Sequence, residues 1–246
     1  MPLLQSQPSL LKRSGRYCAT CYKARPACIC VWLKPQKTRL ATFIIQHPDE
    51  QLKPIGTARI AELGLDKVKL TVGLEHSSES ILKTLKSLGA NKPALLYSQA
   101  FPSSPVHYVL DFERFDSNRF EFNNSASVDN SAFIDNPTII DESILANVDS
   151  LILLDGTWRN TREILLLNDW LKLLPVISLK GVGESQYKIR KAQTAGALAT
   201  IEALAKVIMV MDKSVSLPDF LRPFEKMIEY QISRMGEDTF RKNYLE

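Results

Sequence analysis

Two groups of residues carry the chemistry that this sequence could perform. The first is a cysteine cluster: the chain has four cysteines in all, at Cys18, Cys21, Cys28 and Cys30. Their spacing is Cys-x2-Cys-x6-Cys-x-Cys. Four thiolates close a tetrahedral Zn²⁺ site and leave no open position for catalysis. The same thiolates could hold an iron–sulfur cluster, or stand as free, buried small hydrophobes. A disulfide framework would instead spread cysteines through a small secreted chain. Residues 16–34 are too turn-rich to fold unaided, so a metal would supply the missing folding energy. Basic side chains (Arg13, Arg16, Lys23, Arg25, Lys34) alternate here with Tyr17, Tyr22 and Trp32. Cations for phosphate and rings for base stacking make an RNA-contacting surface, against the alternative of an ordinary solvated one.

The second group is Asp155-Gly156-Thr157-Trp158. A buried strand, VDSLILL, ends at Asp155, and open α/β sheets bind ligands at the carboxyl ends of their strands. Gly156 allows close backbone approach. Thr157 is placed to cap the following helix, with backbone N–H groups aimed at the same point. An acid there accepts hydrogen bonds from an amine or removes the proton of a weak acid. The competing reading makes Asp155 a loop acid and Trp158 core filler. His47-Pro48 reads as a structural turn after a strand, Glu50 and Arg59 as an ion pair, and His76 and His107 as surface residues.

The elements that must position these groups alternate between strand and helix. RLATFIIQH (39–47), 67–72, 92–98 and 176–179 read as strands, being short, apolar and β-branched. Residues 57–65, 78–88, 159–174 and 200–211 read as helices, and 219 to about 235 as a last amphipathic helix. Residues 106–115 read as a further strand, and about 117–137, rich in Asn and Ser, as a loop or insertion. Such alternation predicts an α/β fold with a mostly parallel sheet flanked by helices. The expected organisation is a flexible tail (1–15), a small four-cysteine zinc module (16–36) and a catalytic domain (37–246). With 45% hydrophobic and 24% charged residues, the composition excludes wholesale disorder. The net charge of +4 suits a polyanion. No apolar run of membrane-spanning length exists, and the N-terminal charges follow rather than precede a weak apolar stretch. The expectation is a cytoplasmic protein with no membrane association and no obligate protein partner.

The ordered set of motifs resembles the DTW-domain family. It comprises the cysteines, His47-Pro48-Asp49-Glu50, Gly56-Thr57-x-Arg59, Leu95-Leu96-Tyr97, Asp155 to Trp158, Tyr187-x-Ile189-Arg190-Lys191 and Thr200-Ile201-Glu202-Ala203. The resemblance implies a tRNA-uridine aminocarboxypropyltransferase with a SPOUT-like α/β fold, related to ribosomal RNA enzymes of the same chemistry. The C-terminal half of such folds is tucked, and knotted in some members. S-adenosylmethionine would be the donor and tRNA the acceptor. Asp155 would sit beside the nucleophile or grip the donor's amino group. Thr57, Tyr97, Gly156, Thr157, Trp158, Ser185, Tyr187, Ile189, Arg190 and Thr200 would bind the donor, with Arg190 on its carboxylate. Arg16, Lys23, Arg25, Arg159, Lys188 and Lys191 would meet RNA. Two other functions fit the same residues: an S-adenosylmethionine-dependent RNA methyltransferase, and a non-catalytic zinc-dependent RNA-binding protein.

Overall fold

The computed structural model describes residues 15–112, 147–187, 189 and 197–244. Its centre is a six-stranded sheet in which every paired neighbour runs parallel. The strands are β1 (Ala41–Gln46), β2 (Val68–Val72), β3 (Pro93–Leu96), β4 (His107–Asp111), β5 (Ser150–Asp155) and β6 (Val176–Lys180). They lie in the order β2-β1-β5-β3-β6-β4. The α/β class with a parallel sheet therefore stands. The segment between β6 and Thr200, where a knotted path would turn, includes residues outside the described set. The expected insertion at 117–137 also lies outside it.

Parallel strands covered on both faces need apolar side chains in both directions. In β1, Ile44 packs into one core while Ala41, Phe43 and Ile45 pack into the other; in β5, Leu151 and Leu153 face the first and Ile152 the second. The first core is closed by helices α1 (Ala58–Gly64), α4 (Thr200–Met211) and α5 (Leu217–Met235); the second is closed by α2 (Ser78–Ser87) and α3 (Trp158–Leu167). Each fully buried Ile or Leu contributes roughly 1.5–3 kcal/mol. Among the strands β1 and β5 hold the most such residues, so the site at their ends stands on well-buried strands.

Two helix boundaries differ from expectation. The helix expected over 159–174 stops at Leu167 and resumes as a 3-10 turn over Asp169–Leu173. The cause is Asn168, whose side-chain amide donates to the carbonyls of Ile164 (2.7 Å) and Leu74 (2.6 Å) and accepts from the His76 N–H (2.8 Å). An Asn whose side chain satisfies a carbonyl of the last turn itself ends the helix. At the C-terminus a further helix, α6 (Glu237–Tyr244), follows α5 after Gly236, whose φ of +84° turns the chain.

The cysteine segment packs directly on the domain. Cys21 and Ile29 are buried in the first core. The Lys23 ammonium donates to the carbonyls of Pro54 (2.7 Å) and Gly56 (3.2 Å), and the Arg59 guanidinium to that of Thr20 (2.8 and 3.0 Å). The segment is thereby clamped to the chain entering α1.

Candidate active site at the carboxyl ends of the sheet

Gln46 and Asp155 are paired residues at the ends of β1 and β5. The parallel register puts their side chains on the same face, and the Gln46 amide nitrogen donates to Asp155 Oδ2 at 2.8 Å. Thr200, the first residue of α4, donates its hydroxyl to Asp155 Oδ1. Asp155 is buried. Its carboxylate is thus held from two strands and a helix start, and both oxygens accept a hydrogen bond. A carboxylate offers about four lone-pair positions, so such anchoring is compatible with acceptance of a proton or a ligand donor.

Gly156 is required by its neighbours: a Cβ there would lie 2.8 Å from Asn160 Cβ and 3.5 Å from His47 Cβ. Thr157 caps α3, its hydroxyl accepting from the Asn160 N–H at 3.3 Å. The chain turns into the helix within one residue, and this sets Trp158 on the surface at 45% exposure. Trp158 meets Tyr97 edge to face at 6.2 Å, and Tyr97 stacks on Phe101 at 5.5 Å. Trp158 is therefore not core filler. It forms, with Tyr97 and Phe101, an aromatic shelf between the ends of β3 and β5. Phe101 escapes sequence reasoning; its only signal is an aromatic four residues past a strand-end tyrosine.

The loop after β6 is pinned by Glu202. Its carboxylate accepts from Ser185 Oγ (2.6 Å), the Gln186 N–H (2.7 Å) and the Ala199 N–H (2.8 Å). Ser185 and Thr200 are brought together through this acid. Two donor-binding expectations need correction. Tyr187 is buried, with its hydroxyl on the Ile55 carbonyl and its ring against Phe224 (5.2 Å). Ile189 is likewise buried in the first core. Both side chains anchor the loop to the domain rather than face a ligand. Thr57 is buried at the start of α1. Lys188, Arg190 and Lys191 lie outside the described residues.

The four cysteine sulfurs lie within 4.8 Å of one another, with Cys18–Cys30 at 3.6 Å and Cys21–Cys28 at 3.8 Å. A tetrahedral ion with bonds of about 2.3 Å to sulfur spaces its ligands by about 3.8 Å. The donor set therefore fits zinc in geometry and in softness. Burial pushes the Cys18 thiol up, but backbone N–H groups of Cys21 and Thr20 and the neighbouring thiols outweigh it and bring it to about 6. Burial and the crowding of thiols push Cys30 upward.

Among the residues expected to meet RNA, Arg16, Arg25 and Arg159 are exposed. Lys23 is a correction: it is 5% exposed and commits its ammonium to the two carbonyls named above. Burial lowers its pKa to about 8. The expected Glu50–Arg59 pair is also replaced. Glu50 binds Lys53 at 2.7 Å, and Arg59 binds Glu62 while its guanidinium lies 4.6 Å over the Tyr22 ring. His47 is buried, its Nδ1 accepting from the Asp49 N–H at 3.1 Å and its Nε2 lying 3.4 Å from a Glu163 carboxylate oxygen. His107 is exposed but shares a hydrogen bond with Ser178 (2.9 Å), and His76 is only partly exposed, its Nε2 buried.

Sequence reasoning missed a cleft of about 310 Å³ lined in part by Gln46, the partner of Asp155. Tyr22, Gln46, Glu50, Lys53, Arg59 and Thr71 are among its walls. It lies between the cysteine segment and the ends of β1 and β2. No local motif announces it, because its walls come from four separate stretches of chain.

Residues 15–232 match the family described as the DTW domain. The chain is 23% identical over 233 residues to tRNA-uridine aminocarboxypropyltransferase 2 of Mus musculus, an alignment covering 93% of this chain and 67% of that protein. It is 27% identical over 236 residues to the protein of the same name from Drosophila melanogaster, covering 93% and 80%. No solved structure matches.

Proposed function

This chain belongs to the DTW-domain family, and we propose on that premise that it transfers the 3-amino-3-carboxypropyl group of S-adenosylmethionine to N3 of a uridine in tRNA. The observation that carries the reading is the Asp155 carboxylate, fixed by Gln46 and Thr200 at the strand end that leads directly to Trp158 of the aromatic shelf. The relatives' names supply the reaction class.

The donor brings an electrophilic methylene activated by its sulfonium. N3 of uridine attacks that carbon, a C–N bond forms, the C–S bond breaks, and methylthioadenosine leaves with the electron pair. N3 carries a proton at neutral pH, and that proton must go to a base. The Asp155 carboxylate provides one, and an acid held this firmly loses little entropy in taking its place. Trp158, Tyr97 and Phe101 offer faces and edges on which an adenine ring can lie. Ser185 and Gln186, pinned by Glu202, hold the adjoining loop to the start of α4. Zn²⁺ on the four cysteines would be structural, holding the segment that walls the cleft.

Protein, tRNA and S-adenosylmethionine incubated together should yield, on nucleoside mass spectrometry, a uridine heavier by the aminocarboxypropyl mass. A gain of one methyl mass, or none, refutes the proposal. The methyltransferase reading has no observation of its own in the structure.

A further inference from the structure

The 310 Å³ cleft opens at the ends of β1 and β2, one strand removed from Asp155, while Tyr97 of the aromatic shelf follows β3 on the other side of β5. Gln46 belongs to both places: it lines the cleft, and its amide nitrogen holds Asp155 at 2.8 Å. The amide oxygen on the same plane is the other polar end of that side chain. The rim carries Lys53, half-exposed and balanced by Glu50. One wall is Tyr22 under the Arg59 guanidinium, which also pairs with Glu62 and donates to the Thr20 carbonyl.

Tyr22 has φ +59°, the one non-glycine residue in the left-handed region among the described residues. A tyrosine there is strained, and such strain persists only where surrounding structure enforces it. The enforcement comes from the cysteine turn, in which the Tyr22 N–H donates to the Cys18 carbonyl (3.0 Å), and from the carbonyl contacts of Lys23 next to it. The turn sets the Tyr22 ring on the wall of a cleft that Gln46, the partner of Asp155, also lines. An aromatic ring, lysine and arginine side chains and an amide facing one cleft are chemistry that recognises a nucleotide of single-stranded RNA. The adenosine of the donor has an aromatic shelf of its own on the other flank.

We propose that this cleft is the acceptor subsite: it takes a nucleotide of the RNA substrate, with Tyr22 and Arg59 as its stacking wall and Gln46 as the residue linking that nucleotide to Asp155. The inference rests on the transferase reading for the identity of the RNA. It gives the cysteine module a second use, as the element that builds half of the substrate site.

Tyr22→Gly and Lys53→Ala test it. Glycine removes the ring while relieving the positive φ, so the turn is not weakened, and metal content and melting temperature check that each variant folds. Stacking of a base contributes enough that its loss raises KM for tRNA about five- to hundredfold. The expected result for Tyr22→Gly is that rise, with affinity for S-adenosylmethionine, measured by calorimetry, within about twofold of the parent. Lys53→Ala should raise KM for tRNA in the same direction and lower the slope of tRNA affinity against salt by about one. Two results overturn the proposal: tRNA parameters unchanged in both variants, or a loss confined to S-adenosylmethionine binding. If the parent protein makes no aminocarboxypropyl product, the transferase reading fails by itself. Filter binding of tRNA to parent and variants still decides the cleft.

Discussion

Replacing Asp155 separates its structural work from its chemistry. Alanine removes both acceptors from the network. The Gln46 amide nitrogen, on a side chain 5% exposed, then has no acceptor in place of the carboxylate. An unmet buried donor costs about 1–3 kcal/mol. Thr200 is less deeply buried and its hydroxyl can rotate, so it adds little. For a domain of this size that loss lowers the melting temperature by roughly 2–12 °C. Asparagine keeps the shape: its oxygen accepts from Gln46, and its amide donates to the Thr200 hydroxyl, which can accept. The Asp155→Asn protein should therefore melt within about 3 °C of the parent, a cost under about 1 kcal/mol. On the proposed role both variants lose the base, and removal of a positioned acid or base costs at least about a hundredfold in rate, some 2.7 kcal/mol of barrier. The assay is single-turnover formation of modified uridine by mass spectrometry, beside thermal melts of the same samples. Activity should fall alike in both variants while stability falls in one. An Asp155→Asn enzyme within about tenfold of the parental rate would refute the role of the negative charge.

Gly156→Ala should destabilise the protein by about 1–3 kcal/mol, because its methyl meets Asn160 Cβ at 2.8 Å and the overpacked turn must shift; urea denaturation measures it, and an unchanged midpoint refutes the close approach. Asp212, at the end of α4, accepts from Thr38 Oγ (2.8 Å), the Arg39 N–H (2.6 Å) and Ser214 Oγ (2.5 Å). Burial pushes its pKa up, but these hydrogen bonds outweigh burial and hold it below the ordinary carboxylate range. A folded pKa below the unfolded one contributes stability that is present above the unfolded value and lost as pH falls through the folded one. Asp212→Asn should thus cost about 1–3 kcal/mol at pH 7, with the gap to the parent closing in acid melts below the usual aspartate range; a pH-independent gap refutes this. Metal analysis should return about one zinc per chain, and a Cys21→Ser variant should lose the metal together with thermal stability. Metal-free protein of parental stability would refute the structural site.

The fold was largely legible because its signals are local and redundant. FII (43–45) and LILL (151–154) are unbroken apolar runs that only a doubly covered strand can bury, and Gly64 and Gly89 mark helix ends. What misled were single side chains with tertiary partners. Asn168 breaks a helix whose apolar period runs on past it, and nothing in the sequence shows that Leu74 and His76 will meet it. Lys23 looks like a phosphate contact among other basic residues, yet two carbonyls more than thirty residues away claim its ammonium. Charge is a local property of sequence, whereas its availability is a property of packing.

The site was legible in the same uneven way. Asp155-Gly156-Thr157-Trp158 could be read because one short turn needs all four types at once: an acid at a strand end, a residue without Cβ, a cap and a ring set outward. Gln46 and Thr200 were harder, since the first only appears as the polar end of an apolar strand and the second as the first residue of a helix. They matter because Asp155 alone, on a single strand end, would be free to rotate. Held from β1 on one side and α4 on the other, its carboxylate keeps a fixed direction. The motif supplies the carboxylate, but its direction comes from residues 109 and 45 positions away in sequence. Substitutions at Gln46 and Thr200 should therefore damage activity out of proportion to their effect on stability.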